Sequence, residues 1–194
     1  MPSFPLRLPA CAILAILSTG PAMATEYTSM LAGRSQVVFT SRQMGVPVEG
    51  RFGKFTATLA FDPAAPERGR ATIDIDLASI DAGSAEANEE VIGKNWFNAK
   101  LHPTAHFAST SVKALGGGRF EVRGPLTLKG RTQEVAAPFS FKTDGGNGVF
   151  EGAFTLKRLD YAIGEGAWGD TDTVANEVQI KFRFVAAAGP TGGK

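Results

Sequence analysis

The sequence predicts an all-β domain, an antiparallel sheet of about eight strands with one short helix. Three observations carry that prediction. Apolar and polar residues alternate with a period of two along most of the chain beyond residue 34, as a strand with one dry face requires. Clusters of Gly, Pro and Asp punctuate the alternating runs. Only residues 84–98 clearly break the strand rhythm.

The elements follow in order. Residues 25–34 form a lead-in, and residues 35–43 alternate Val37 and Phe39 with Gln36 and Thr40 until Gly45 and Pro47 end the run. Residues 48–61 are a long strand whose phase slips at Gly53, from even Phe52 to odd Phe55, Ala57, Leu59 and Phe61; a bulge there restores both faces. Residues 70–77 set Ala71, Ile73, Ile75 and Leu77 against Arg70, Thr72, Asp74 and Asp76. In residues 84–98, Ser84 is a helix cap, Glu86, Glu89 and Glu90 suit the first turns, and Ile92 and Trp96 fall four apart. That spacing predicts a helix across one end of the sheet, with Trp96 and Phe97 as its apolar plug.

Strands resume at residues 104–114. The clearest unit is the hairpin 119–141, with Phe120, Val122, Gly124, Leu126 and Leu128 on one face, a turn at Lys129-Gly130-Arg131, and Val135, Ala137, Phe139 and Phe141 on the return. An isolated hairpin is barely stable in water, so this face must meet more sheet. Residues 149–157 put Phe150, Gly152, Phe154 and Leu156 together, and residues 175–185 do the same with Val178, Ile180, Phe182 and Phe184. Between them, residues 159–173 are a Gly- and Asp-rich loop. Closing such a sheet removes its edges, and about eight strands enclose one small ligand. Periodicity alone does not separate a closed barrel from a sandwich.

The first 24 residues read as an export signal: Arg7, an apolar run at 10–17, and the small-x-small site Ala22-Met23-Ala24. The run is shorter than the roughly 20 residues that span a bilayer. Residues 25–186 then form one domain and residues 187–194 a flexible tail. The chain carries 20 Lys and Arg against 19 Asp and Glu. Because Arg7 leaves with the signal, the exported part is balanced, which argues against nucleic acid as a partner. The single cysteine, Cys11, leaves too, so a periplasmic chain of this size relies on its core rather than on disulfides.

Phenylalanine dominates the inner faces, and almost no titratable group falls on them. Such a stripe is either a filled core or a dry cavity for a long apolar ligand. The missing acids and bases argue against chemistry inside the sheet. Gly164-Glu165-Gly166-Ala167-Trp168-Gly169 matches the dinucleotide fingerprint in letters but lacks its strand–helix context, so it reads as a glycine loop. His102 and His106 flank Pro103 and read as strand-end residues, while Asp160, Glu165, Asp170 and Asp172 read as solvated turn acids. No metal site is expected.

Taken together, the ordered pieces resemble the YceI-like family of polyisoprenoid- or lipid-binding domains, over nearly the whole chain after residue 27. They are Ser35-x-Val37-x-Phe39, Gly45-Val46-x-Val48-x-Gly50-x-Phe52, Phe61-Asp62-Pro63, residues 73–80, and Trp96-Phe97-Asn98. Pro103-x-Ala105-x-Phe107-x-Ser109, the diagnostic Gly124-x-Leu126-Thr127-Leu128-Lys129-Gly130-x-Thr132, residues 157–164 and Glu177-Val178-x-Ile180 follow. Met44 stands where many members have a His, and residues 81–95 lack the Arg-Asp pattern of many relatives.

The resemblance implies a lipocalin-like extended antiparallel barrel whose elongated pore holds an isoprenoid chain, either a polyprenyl lipid or a quinone tail. The residues expected to line it are Phe39, Phe55, Leu59, Phe61, Ile73, Ile75, Trp96, Phe97, Phe107, Phe120, Leu126, Phe139, Phe141, Phe154 and Phe182. The leading expectation is periplasmic binding or carriage of that lipid, by a monomer or a dimer, with no catalysis and no required cofactor. Two alternatives stand beside it: an enzyme acting on the bound lipid through the 160–172 loop, and a module that engages a membrane redox or envelope-stress partner.

Overall fold

The period-two runs lie in a single antiparallel sheet that curls back on itself. The computed structural model describes residues 25–189. Its strands are β1 (Tyr27–Met30), β2 (Gln36–Gln43), β3 (Val46–Phe52), β4 (Phe55–Ala60), β5 (Arg70–Asp76) and β6 (Ile80–Asp81). The helix α1 (Ala85–Ile92) precedes β7 (Thr104–Ala108), β8 (Ser111–Gly116), β9 (Arg119–Leu128), β10 (Arg131–Asp144), β11 (Asn147–Lys157) and β12 (Glu177–Ala188). The hydrogen-bonded path is β4-β5-β7-β9-β10-β11-β12-β2-β3-β6, with β8 beside β9 and β1 beside β12.

Closure comes from one bent strand. The phase slip at Gly53 is not a bulge within a ladder but a break at which the chain changes partner. β3 pairs with β2, from Gln43↔Val46 to Val37↔Phe52, and β4 pairs with β5, from Phe55↔Ile75 to Ala60↔Arg70. The two flanks of the sheet therefore meet in the continuous run β3–β4. Farther along, Tyr27 and Phe61 exchange both backbone hydrogen bonds, at 2.9 and 3.2 Å, and tie β1 to the end of β4.

The local chemistry of the ladder explains its breaks. The expected strand 104–114 is two strands, because Ser109 turns inward to serve β5: its Oγ accepts from Ala71 N at 2.8 Å, and its N–H donates to Ala71 O. Gly124 sits opposite that break, where any Cβ would collide with Ala108 O. The β9–β10 hairpin closes through Lys129 (φ 47°) and Gly130 (φ 72°), the two positive dihedrals of a tight two-residue turn.

Three further boundaries, and the burial of two outward residues, differ from the sequence reading. The lead-in contains β1, which pairs with β12. The helix ends at Ile92, capped by Ser84 Oγ accepting from Ala87 N and followed by Gly93, so Trp96 and Phe97 lie in the turn that follows it. The expected tail begins too early, because Ala187 and Ala188 still pair with Ser29 and Tyr27. Val149 and Val185, on the outward phase of β11 and β12, are buried as well; Leu31 N and Ser35 Oγ fasten residues 31–35 to the backbone of Val185. The expected export signal lies outside the described residues.

Candidate functional site

The inward side chains do not fill the curl. A cavity of about 530 Å³ lies toward the end that carries α1 and the β2–β3 and β9–β10 turns. Strand residues Phe39, Ile75, Leu126, Leu128, Phe154, Leu156, Val178 and Ile180 form its walls, and Ala87, Val91, Trp96 and Phe97 cover one side. A second cavity of about 140 Å³ lies deeper, among Leu59, Phe61, Ile73, Phe107, Phe139 and Phe182. Val37, Ile75, Ala105, Leu126, Phe154 and Ile180 line both, so the two cavities adjoin across these six side chains along one apolar interior, or pore. Dry space of this kind receives apolar ligands.

The far end of the pore is packed with aromatic rings. Phe61 meets Phe120, Phe139, Phe141 and Phe150 with ring centroids 5.2, 5.9, 5.2 and 5.3 Å away. Tyr27 closes the cluster at 5.2 Å from Phe141. Aromatic rings in edge and tilted contact fill space without leaving polar groups unpaired.

The open end is organised by a buried charge that alternation did not reveal. Arg158, 1% exposed, follows directly on β11 and lines the larger cavity. All five of its N–H donors are taken by backbone carbonyls: Ala175 at 3.1 Å, Ile163 and Gly164 at 2.9 Å, Trp168 at 2.8 Å and Val174 at 2.7 Å. The carbonyl dipoles replace the water it has lost. Burial lowers its pKa from the ordinary arginine value, but a guanidinium stays charged at neutral pH. Gly164 (φ 77°) makes room for it, because a Cβ there would overlap the guanidinium. Arg158 thereby gathers the glycine-rich loop, whose fingerprint-like segment is held by this arginine, by Asn95 O, and through its side chains by Lys129 and Glu90.

The arginine also reaches the helix. Its Cζ lies 5.8 Å from the centre of the Trp96 ring. Glu90 Oε1 of α1 accepts from Trp96 Nε1 at 3.2 Å and from Trp168 Nε1 at 2.7 Å, and the two indoles lie 5.6 Å apart. A closed circuit of Arg158, Trp96, Glu90 and Trp168 therefore spans the mouth.

Of the sequence-predicted lining residues, Phe39, Ile75, Trp96, Phe97, Leu126 and Phe154 border the larger cavity, and Leu59, Phe61, Ile73, Phe107, Phe139 and Phe182 the smaller one. Phe55, Phe120 and Phe141 border neither. Phe55 packs 5.8 Å from Phe184, Phe120 stacks on Phe139 at 5.4 Å, and Phe141 belongs to the aromatic cluster around Phe61. Alternation places them inward but does not say which depth of the pore is filled. Val37, Phe52, Leu156 and Ile180 carry the same periodic mark and belonged in the set. Val91, Trp168, Glu86, Glu90 and Arg158 lie outside the strands and carried no such mark.

The remaining polar clusters have structural work. His106 Nδ1 pairs with Asp74 at 2.7 Å across β5 and β7. The Glu165 carboxyl is held below the usual range by the hydrogen bond and charge of Lys129, 2.9 Å away. The Asp170 carboxyl is held low by the Asp172 N–H and by Thr173. Among the described residues, no three His, Cys, Asp or Glu side chains gather as a metal site, and no helix is long and apolar enough to cross a membrane.

Comparison with known proteins follows the same lines. The family model of the YceI-like domain matches residues 29–186. A UPF0312 protein of Azotobacter vinelandii is 32% identical over 157 residues, covering 77% of this chain and 82% of the relative. The crystal structure of Burkholderia cenocepacia BcnA superposes with a TM-score of 0.80 at 42% identity, over 82% of this chain and 100% of that one. A polyisoprenoid binding domain from Saccharophagus degradans implicated in plant cell wall breakdown shares the fold, with a TM-score of 0.64 at 16% identity over 86% and 99% of the two chains. The bent-strand curl, its apolar interior and the match across residues 29–186 place this chain in the YceI-like domain family.

Proposed function

We propose that this protein binds and carries an isoprenoid lipid, a polyprenyl chain or a quinone tail, in the periplasm. The observation that carries the reading is the apolar interior: a cavity of about 530 Å³ and, sharing six apolar lining side chains with it, a second of about 140 Å³. A hydrocarbon chain needs buried area and few hydrogen bonds. At about 25 cal/mol per Å², removing some 300 Å² of tail from water offers about 7.5 kcal/mol before the costs of association. The Saccharophagus domain of the same fold, described as polyisoprenoid binding, supports the choice of ligand.

Catalysis has no part in this reading. Asp170 and Glu165, the loop acids whose geometry is clearest, cap a turn and hold Lys129. The test is purification from the periplasm without detergent, followed by organic extraction and mass spectrometry. An isoprenoid species in stoichiometric amount is the expected result. A protein that emerges empty and does not take up an added isoprenoid refutes the proposal.

A further inference from the structure

The mouth of the pore carries charge of one sign in a usable form. The polar side chains lining the larger cavity, apart from the indoles of Trp96 and Trp168, are Ser41 and Gln43 on β2, Glu86 and Glu90 on α1, and Arg158. Arg158 is the one cation among them, and all five of its donors are spent on loop carbonyls. A phosphate could reach it only by displacing those carbonyls, at the cost of orphaning them. The neighbouring Lys129 ammonium is committed too, to Ala162 O at 2.6 Å and Glu165 at 2.9 Å.

The acids are placed differently. Glu86 and Glu90 stand one helical turn apart and so share a face of α1. Hydrogen bonds from its own backbone N–H and from Ser84 hold the Glu86 carboxyl below the usual range. Glu90 receives the two indole N–H groups on one oxygen, Oε1, which leaves its other oxygen to meet a ligand.

Resting on the lipid-binding reading above, we infer that the mouth selects a head group that donates hydrogen bonds and carries no negative charge, an alcohol, quinol or amine rather than a phosphate ester, with Glu86 and Glu90 as the specificity-determining residues. The tail occupies the apolar depth, and the head stays at the rim where the two carboxylates accept its hydrogen bonds. An anionic head at the same place faces two like charges and finds no free cation among the residues lining the cavity.

The test uses three probes with one tail: geranylgeraniol, geranylgeranyl phosphate and geranylgeranylamine. Each is titrated, below its micelle concentration, into protein stripped of lipid. The chain has two tryptophans, and both stand at the mouth, so indole emission reads binding there directly. The alcohol and the amine are expected to bind at least about tenfold tighter than the phosphate near neutral pH and low salt.

In the double variant Glu86→Gln, Glu90→Gln the phosphate should gain about tenfold, the amine should lose about as much, and the alcohol should move little. Glutamine retains an oxygen for both indoles, and Glu86→Gln alone should show the same signs at smaller size. Opposite shifts for the two charged probes are a result that a merely loosened mouth does not produce. A phosphate that binds as tightly as the alcohol, or a gap that the variants leave unchanged, overturns the inference and leaves the isoprenoid reading standing. Silence from all three probes overturns that reading, and this inference with it.

Discussion

Replacing Arg158 with Met keeps much of the stem and deletes the guanidinium. Five carbonyls then lose their donor. Those of Ile163, Gly164 and Val174 lie in buried bonds, whereas those of Ala175 and Trp168 are partly open to water. An orphaned buried acceptor costs about 1–3 kcal/mol, and a rehydrated one much less. Relief from desolvating a charge returns part of the loss, so the net is about 3–5 kcal/mol. With a urea slope near 2 kcal/mol per M, the unfolding midpoint should fall by about 2 M. Arg158→Lys offers three donors from one nitrogen and should lie roughly halfway. Indole emission should shift to the red in both variants, because Trp168 is tethered through its own carbonyl. A Met variant within about 1 kcal/mol of wild type would show that the loop does not hang on this residue, and the reasoning about the mouth would fail.

Three further substitutions separate the filled end of the pore from the open one and test the buried phenol. Phe139→Ala removes a ring in contact with Phe61, Phe120 and Phe150 and should cost about 3–5 kcal/mol, whereas Phe154→Ala only enlarges existing space where the two cavities adjoin and should cost about 1–2 kcal/mol in urea titrations of the lipid-free protein; equal losses would mean that the pore is packed throughout. Tyr161 Oη is buried with no hydrogen-bond partner among the described residues, so Tyr161→Phe should be neutral or stabilising by about 1 kcal/mol. Burial, with the Asp160 charge adding to it, raises the Tyr161 pKa to about 12; the unfolded state therefore ionises first, and wild type should lose stability relative to the Phe variant as pH rises from about 10, whereas a pH-independent difference would argue against burial of the phenol.

The fold was legible because one face of nearly every strand is dry. Residues 70–77 and 119–141 announced both their phase and their partners' need for a core. Closure was less legible: Gly53 marked a fault in the pattern, but a break with exchange of partners and a bulge leave the same trace in sequence. The pore followed the same division. Phe39, Phe154 and Leu126 carried the periodic mark of the inward face, and so did Phe120 and Phe141, which pack solid; inwardness is a local property, whereas depth along the axis depends on the register of distant strands. The mouth was legible only in Trp96 and Phe97, because its other groups, Glu86, Glu90, Arg158 and Trp168, come from a helix and a loop where no strand period marks an inward face. Arg158 in particular is followed by a run of loop residues whose carbonyls, not their side chains, form its surroundings.

The two ends of the described chain leave the molecule side by side. Tyr27 pairs with Ala188, and Gly189 N donates to Glu26 O at 2.7 Å, beside the aromatic cluster that Tyr27 closes and at the opposite end from the mouth. A fusion partner, surface tether or affinity tag joined at residue 25 or 189 therefore hangs behind the molecule and leaves ligand traffic unobstructed. A linker of a few residues would join the ends into a circle, and the chain could be reopened at Gly145-Gly146, both at positive φ in an exposed turn. The permuted protein would keep every ladder and would start at β11 instead of β1.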